Sequence, residues 1–307
     1  KRQQPVQDVR LMGVGELAAL GGALGWAISG VIIKSATIRV RAVRINAIYV
    51  FIGAGMGLIA VALAGTFDEI FEISGRDAAL LMGGALIGST GDLAILRSIT
   101  IGDVGRNFTT ATAMFVLLST FGGWLILDEN VATFAWTGGI LILTGVYLTN
   151  VTGEQRLSRP TFGGLGDLLS APVLAVFAGS VWAISLLMYD EGLVANDVFA
   201  ANVLAHVVIV ALYLLAVAVW APARPLPIKR EDGTRVLISG LFLGVALISF
   251  IIAVDRSDAS STAILISSSP LFIVPLSVIF LGEKLTRRSA QGVVITLAGV
   301  FMVVGLG

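Results

Sequence analysis

The fold of this chain is decided by the stretch Pro270-Leu271-Phe272-Ile273-Val274-Pro275-Leu276, which continues to Phe280-Leu281-Gly282-Glu283-Lys284-Leu285. Two long apolar segments flank a sharp charged turn at this point. The first half of the chain carries an echo of it 154 residues earlier. Leu127-Asp128-Glu129 corresponds to Leu281-Gly282-Glu283, Gly138 to Gly292, and Gly145-Val146 to Gly299-Val300. Self-similarity at a fixed offset indicates an internal repeat.

The repeat extends over most of the chain. Trp26-Ala27-Ile28-Ser29 recurs 156 residues later as Trp182-Ala183-Ile184-Ser185, and Asn46 recurs as Asn202. The glycine pair Gly84/Gly88 recurs as Gly240/Gly244 at the same offset. We interpret the chain as a tandem duplication, with a first copy over residues 1–151, a linker over 152–169 and a second copy over 170–307.

The composition predicts a membrane protein. Hydrophobic residues make up 56% of the chain and charged residues only 13%, whereas soluble domains carry about 25% charged residues. The formal net charge of zero excludes a basic surface for nucleic acid. The absence of cysteine excludes disulfides and thiolate metal sites.

Ten segments are long and apolar enough to cross a bilayer, which needs about 20 residues per helix. Spanning segments must be helical because lipid offers no partner for free backbone groups. We therefore predict an all-α polytopic membrane protein with two five-helix copies. Because five is odd, the second copy enters the membrane from the opposite side, which makes the repeat inverted in topology. The predicted spans are 13–33, 45–65, 77–96, 108–127, 132–150, 170–189, 198–220, 235–254, 260–281 and 289–306.

Inverted repeats are typical of secondary transporters, which bind substrate near the bilayer midplane between the copies. The alternative is a membrane scaffold or sensor that transports nothing. The chain has no phosphate-binding GxxxxGK[ST] loop, no HExxH and no GxSxG, so we expect neither an enzyme nor a cofactor. The expected partners are a small-molecule substrate, the lipid bilayer, and protons or another coupling ion.

Two ionisable side chains lie inside predicted spans. A carboxylate such as Asp92 is costly at membrane depth unless it faces a cavity or a partner. It either binds a cation or coupling proton, or forms a structural pair with Arg97; its repeat counterpart is the apolar Ile248. His206 is the only histidine and lies one helical turn after Asn202. It is interpreted as a proton relay or as a packed core residue.

Two pairs of repeat-related residues are candidates for substrate contact. Asn46 and Asn202 either hold helices together by hydrogen bonds or act as ligands across the pseudo-twofold axis. Trp26 and Trp182 lie in mid-helix rather than in the interfacial belt where Trp collects. Their rings either face a cavity, where they can hold an aromatic or cationic group, or pack against neighbouring helices.

Hydroxyl-bearing side chains begin the fourth and ninth spans. Thr112 lies in the first of these clusters, and Ser267 and Ser268 lie in the second, within the run Ser267-Ser268-Ser269-Pro270. Proline frees a backbone carbonyl in a helix, so these faces either line a cavity or mark a kink. Glu129 and Glu283, at the ends of spans, are interpreted as turn and gate elements.

The apolar run after Pro270, followed by Leu281-Gly282-Glu283-Lys284-Leu285, Gly292 and Ala298-Gly299-Val300, resembles the closing signature of EamA-type transporters of the drug/metabolite transporter superfamily. The resemblance covers essentially the whole chain. It implies ten spans, secondary transport of small metabolites, often amino acids or amines, and a central cavity lined mainly by the third, fourth, eighth and ninth helices. It would place Asp92, Thr112 and Ser267 at that cavity, with aromatic positions such as Trp26 and Trp182 contributing.

The charge distribution and the resemblance predict opposite orientations. The loops that follow odd-numbered spans carry 15 Lys and Arg residues, and the termini and remaining loops carry 5. By the positive-inside rule, this places both termini outside the cytoplasm, whereas the family resemblance implies cytoplasmic termini. We expect a multi-pass protein of the plasma membrane in either orientation.

Overall fold

The structure is a computed structural model that describes residues 13–126, 133–151, 170–219, 228–256, 262, 265–266 and 268–305. These residues form ten α-helices, one short 3-10 helix at Asp68–Phe71, and no strand. The helices are α1 (Val14–Thr37), α2 (Ala42–Ala64), α3 (Gly75–Ile101), α4 (Val104–Ile126), α5 (Thr133–Val151), α6 (Ala171–Leu193), α7 (Val198–Val219), α8 (Arg230–Arg256), α9 (Ser269–Leu281) and α10 (Arg287–Gly305).

Seven of these helices, α1 to α4 and α6 to α8, are long and apolar enough to cross a membrane. The helix α5 has 19 residues, α9 has 13 and α10 has 19. The all-helical prediction is therefore confirmed for the described residues, and seven of the ten predicted spans qualify by length and apolarity.

Polar residues and glycines mark the ends of several helices. At the start of α3, the Ser74 hydroxyl accepts a hydrogen bond from the Asp77 backbone N–H at 3.1 Å, as expected of an N-cap residue. Gly65 ends α2 and Gly282 ends α9, with φ angles of 74° and 65°. Only glycine adopts this left-handed conformation without steric cost. The glycine of the Leu281-Gly282-Glu283 signature thus stops α9 sharply.

Contacts between the two halves follow the repeat. The helix α1 packs on α8 as α6 packs on α3, and α2 packs on both α7 and α8 as α7 packs on both α2 and α3. The Thr66 hydroxyl, just after α2, donates to the carboxylate of Asp197, just before α7, at 2.9 Å. The end of α2 therefore meets the start of α7, and these repeat-related helices run antiparallel.

The glycines of the repeated signature form the seam between α5 and α10. A Cβ atom at Gly145 would collide with the backbone of Gly292 and with Thr296, and one at Gly299 would collide with the backbone of Gly138. The absence of side chains lets the two helices approach at backbone distance. Because 138 pairs with 299 and 145 with 292, these two helices also run antiparallel.

The buried apolar residues form two clusters around the inner helices. One includes Ile33, Ile99 and Ile273, and the other includes Leu81, Leu186 and Phe250. The Trp182 ring packs against both clusters. The junction of the two clusters is also where the polar side chains of the spans collect.

A candidate substrate cavity between the two halves

A cavity of about 150 Å³ lies among the inner helices. This volume is roughly ten times what one water molecule needs, so a small organic molecule has room here. Its described lining comes from α1 to α4 and from α6 to α9, together with Ile266. The outer pair α5 and α10 contributes none of the described lining residues. The predicted candidates that line it are Trp26, Asn46, Asp92, Thr112, Trp182 and His206.

Asp92 faces this cavity from α3 and is tied to the opposite half of the chain. The indole Nε1–H of Trp182, on α6, donates to its Oδ1 at 3.0 Å. Within the described part of the chain, no salt bridge joins Asp92 to Arg97 or to another basic side chain. The two most unusual residues of the repeat analysis, an intramembrane acid and a mid-helix tryptophan, therefore form one pair.

Asn46 joins three helices at the cavity wall. Its amide nitrogen donates to the hydroxyl of Ser89 on α3 at 3.2 Å and to that of Tyr213 on α7 at 2.7 Å. The side chain is 1% exposed, so these bonds form away from water. Asn46 therefore forms hydrogen bonds between helices and also lines the cavity.

Asn202, the repeat mate of Asn46, has a different environment. It is buried, but it is not among the lining residues of the cavity. Its Oδ1 has no hydrogen-bond partner among the described residues and lies beside Gly57 of α2. The two asparagines therefore share a position in the repeat but not a role in the cavity wall.

His206 reaches the cavity one turn after Asn202. Its Nδ1–H donates to the backbone carbonyl of Asn202 at 2.8 Å, which leaves Nε2 directed towards Gly53 of α2. The ring is 6% exposed and lines the cavity. It is thus a buried residue with one nitrogen engaged by its own helix.

Trp26 faces the cavity as part of an aromatic wall. Its ring lies 5.8 Å from that of Phe250 on α8, and Phe250 lies 6.2 Å from Tyr189 on α6 in an edge-to-face contact. These distances are typical of stabilising aromatic pairs. Trp26 has no counterpart of the bond that fixes Trp182, because Ile248 replaces Asp92 in the second copy.

The hydroxyl cluster of the ninth span contributes one described residue to the cavity wall. Ser269, rather than Ser268, lines the cavity, and its hydroxyl is 3.4 Å from that of Thr112 on α4. Ser268 precedes α9 and donates to the backbone carbonyl of Leu265 at 2.6 Å. Ser267 lies outside the described residues, as does Glu129.

A second polar cluster, not predicted from the sequence, connects α1, α2 and α8. The hydroxyls of Ser29 and Ser239 are 2.9 Å apart, and the Tyr49 hydroxyl also bonds to Ser239. In the other half, Ser185, the repeat mate of Ser29, donates to the Gly84 carbonyl at 2.8 Å. The recurrence of serine three residues after each mid-helix tryptophan was the available signal.

Two charged side chains bond to the backbone at the end of α3 and the start of α4. The Lys34 ammonium donates to the carbonyls of Ile99 and Gly102 at the end of α3. The Glu283 carboxylate accepts from the N–H groups of Val104 and Gly105 at 2.7 and 3.1 Å. Each charge complements the helix dipole that it meets. The signature glutamate therefore caps α4 from the α9–α10 turn.

Two ion pairs join the halves of the chain at opposite ends of the bundle. Arg39 binds Asp232 at the end that contains Lys34, with its Nε 2.8 Å from Oδ2. Arg76, which the repeat aligns with Asp232, binds Glu191 at the other end at 2.5 Å. Each pair ties a loop or helix end of one half to the other half.

Comparison with known proteins was made on this geometry. The model of the EamA-like transporter family matches residues 13–151 and again residues 169–305. The "Uncharacterized transporter YoaV" of Bacillus subtilis (strain 168) is 29% identical over 150 residues, which is 46% of this chain and 48% of that protein. The match thus spans about half the length of this relative.

A solved crystal structure superposes with a TM-score of 0.71 at 16% identity, covering 95% of this chain and 96% of that one. At this identity the likeness shows the fold alone. The family matches confirm the resemblance read from the closing signature, and they assign the chain to transporters rather than to enzymes. With two family matches and seven apolar helices, the chain belongs to the EamA-like transporter family and is a multi-pass integral membrane protein.

Proposed function

We propose that this protein is a secondary-active transporter of the plasma membrane that moves a small metabolite, an amino acid, an amine or a similar compound, by alternating access through the central cavity. The observation that carries the proposal is Asp92, an acidic side chain inside a cavity built from both halves of the chain. An ionisable group at membrane depth is expensive, and it is typical of substrate or ion pathways.

Alternating access needs two halves that can exchange roles, and the helix directions support this. The repeat-related pairs α2 with α7 and α5 with α10 run antiparallel. We infer two copies of five membrane spans each, over residues 1–151 and 170–307 with a linker between them, in inverted topology. In such transporters, one repeat rocks against the other around a fixed central site.

The proposed substrate contacts are Trp26, Trp182, Asn46 and Thr112, with the hydroxyls at the start of the ninth span. The proposed set also includes Ser267, Ser268 and Asn202. Of these, Asn202 and Ser268 are not among the described lining residues of the cavity. Asp92 and His206 are the proposed coupling residues, since both line the cavity and both side chains are of a type that can gain or lose a proton.

The test is transport in reconstituted vesicles with and without an imposed proton gradient, using labelled amino acids and amines. Wild-type protein should accumulate at least one of these compounds in response to the gradient. Asp92→Asn, which keeps the shape and removes the charge, should abolish gradient-driven accumulation. Glu231→Gln, at an exposed position on α8, is the matched control and should transport normally.

Two results would contradict the proposal. If wild-type protein moves none of the compounds under any gradient, the scaffold interpretation is favoured. If Asp92→Asn accumulates substrate with an unchanged pH dependence, Asp92 has no coupling role. The His206→Gln variant, measured in the same assay, tests the coupling role proposed for His206.

A further inference from the structure

The charge of the cavity lining restricts what the proposed transporter can hold. Among the described lining residues, Asp92 is the only acid, and none is Lys or Arg. His206 is the one lining residue that can become cationic, and its Nδ1–H is already committed to the Asn202 carbonyl. The described wall therefore offers a site for a positive charge and no basic side chain for a carboxylate.

Lys34 is the basic residue to consider next, and it is engaged elsewhere. It is absent from the described lining, and its ammonium donates to the carbonyls of Ile99 and Gly102. These carbonyls lie seven and ten residues beyond Asp92 on α3, about 10–15 Å along the helix. The carboxylates of Glu283 and Asp103 also attract the positive charge of Lys34. Its ammonium is therefore engaged by the backbone at the end of α3.

Aromatic rings surround the acid. Trp182 is held beside Asp92 by its own N–H bond, and Trp26, Tyr49, Tyr189 and Phe250 also line the cavity. Ring faces attract cations, most strongly when water is excluded. Rings and a carboxylate in one small cavity form a cage for a cation that carries an apolar or aromatic body.

We propose that the cavity selects organic monocations without a carboxylate, that is, amines with an aromatic or apolar body, over zwitterionic amino acids and over carboxylates. The inference rests on the proposed transport function and narrows its substrate class. A zwitterion brings a carboxylate into a cavity where Asp92 repels it and no described basic side chain pairs with it. Burying an unpaired charge of this kind is strongly unfavourable.

The test uses two triads of ring-matched probes on the purified full chain. Phenethylamine, phenylalanine and 3-phenylpropanoate share one ring, and tryptamine, tryptophan and indole-3-propanoate share another. Binding is measured by calorimetry and by quenching of tryptophan fluorescence for the phenyl triad. The amine of each triad should bind at least about tenfold more tightly than the amino acid, and the carboxylate should bind most weakly.

Asp92→Asn should remove the preference for the amine, and Asp92→Glu should restore part of it. Trp26→Ala should weaken amine binding several-fold, since one ring of the cage is lost. Glu231→Gln should leave all affinities unchanged. Retention of the preference by Asp92→Asn would overturn the assignment of the carboxylate as its cause.

The proposal is wrong if the amino acid or the carboxylate binds as tightly as the amine, or if neither amine binds. These outcomes are distinct from failure of the transport function. Gradient-driven accumulation of an amino acid together with weak amine binding would contradict the substrate class and leave transport intact. Specific amine binding without transport of any compound would support the cage and contradict the transporter mechanism.

Discussion

The Trp182 indole donates its N–H to the Asp92 carboxylate at 3.0 Å, and this bond joins the two halves of the chain at the wall of the cavity. The bond is a contact between α3 and α6, and its acceptor is the carboxylate that we propose binds the substrate. The contribution of this bond to stability can be separated from the contribution of the Trp182 ring to binding by a substitution that removes the N–H donor and keeps an aromatic ring.

We expect Trp182→Phe to weaken amine binding by less than Trp182→Ala, because the phenyl ring retains a face for the cation. Both variants lose the N–H donor, and the hydrogen bond to a charged group contributes about 1.5–3 kcal/mol. Thermal unfolding should therefore shift to lower temperature in both. The measurement is a melting curve in detergent beside a binding titration. Equal affinity in both variants would show that the ring face does not contact the cation.

The repeat-related asparagines provide a matched test of interhelical bonding. Asn46→Ala removes bonds to Ser89 and Tyr213, whereas Asn202→Ala removes an Oδ1 that has no described partner. We expect the Asn46 variant to be less stable than the Asn202 variant by about 1 kcal/mol. Denaturation by sodium dodecyl sulfate measures the difference. The reverse order of stability would contradict this assignment of roles.

The two ion pairs should differ in their effect on stability. The Asp232 side chain is 3% exposed, and it binds Arg39 through both oxygens, whereas Glu191 beside Arg76 is 40% exposed. Arg39→Ala removes both close hydrogen bonds of the buried Asp232 carboxylate and leaves it with Arg235, at 3.7 Å, so the variant should lose about 1–3 kcal/mol of unfolding free energy. Arg76→Ala should cost less than about 1 kcal/mol, because surface pairs contribute little. Similar losses in both variants would show that burial does not control the effect.

The orientation of the chain in the membrane can be measured directly, because the chain has no cysteine. Single cysteines at Glu72 and Glu231 occupy exposed positions that the proposed inverted repeat would place on opposite membrane faces. We expect Glu231→Cys to be cytoplasmic and Glu72→Cys to be external, since the face near Glu231 carries most of the Lys and Arg residues. An impermeant thiol reagent applied to intact cells should label Glu72→Cys alone.

Labelling of Glu231→Cys alone would reverse the orientation and agree with the one implied by the family resemblance. Labelling of both cysteines from one side would contradict the inverted topology itself. A permeabilised sample, in which both cysteines should react, controls for their reactivity.

The sequence by itself determined the class of the protein and its duplication. Composition alone indicates lipid as the solvent, because a chain with 13% charged residues cannot cover a soluble surface. The offset between Trp26 and Trp182 indicates the repeat, and the family matches to both halves confirm it. The helices follow from hydropathy, since backbone groups in lipid must bond within their own segment.

The cavity was decided by the tertiary structure. Asp92 and Trp182 are 90 residues apart, and no local pattern reveals that they bond. The same holds for Tyr49 and Tyr213, which are bonded to residues of other helices. An apolar helix in lipid has little amphipathic pattern, so its sequence does not indicate which face turns inward. The contact of Ser269, rather than Ser268, with Thr112 is an example. Successive residues of a helix differ in direction by about 100°, and only packing against α4 selects which of them faces Thr112.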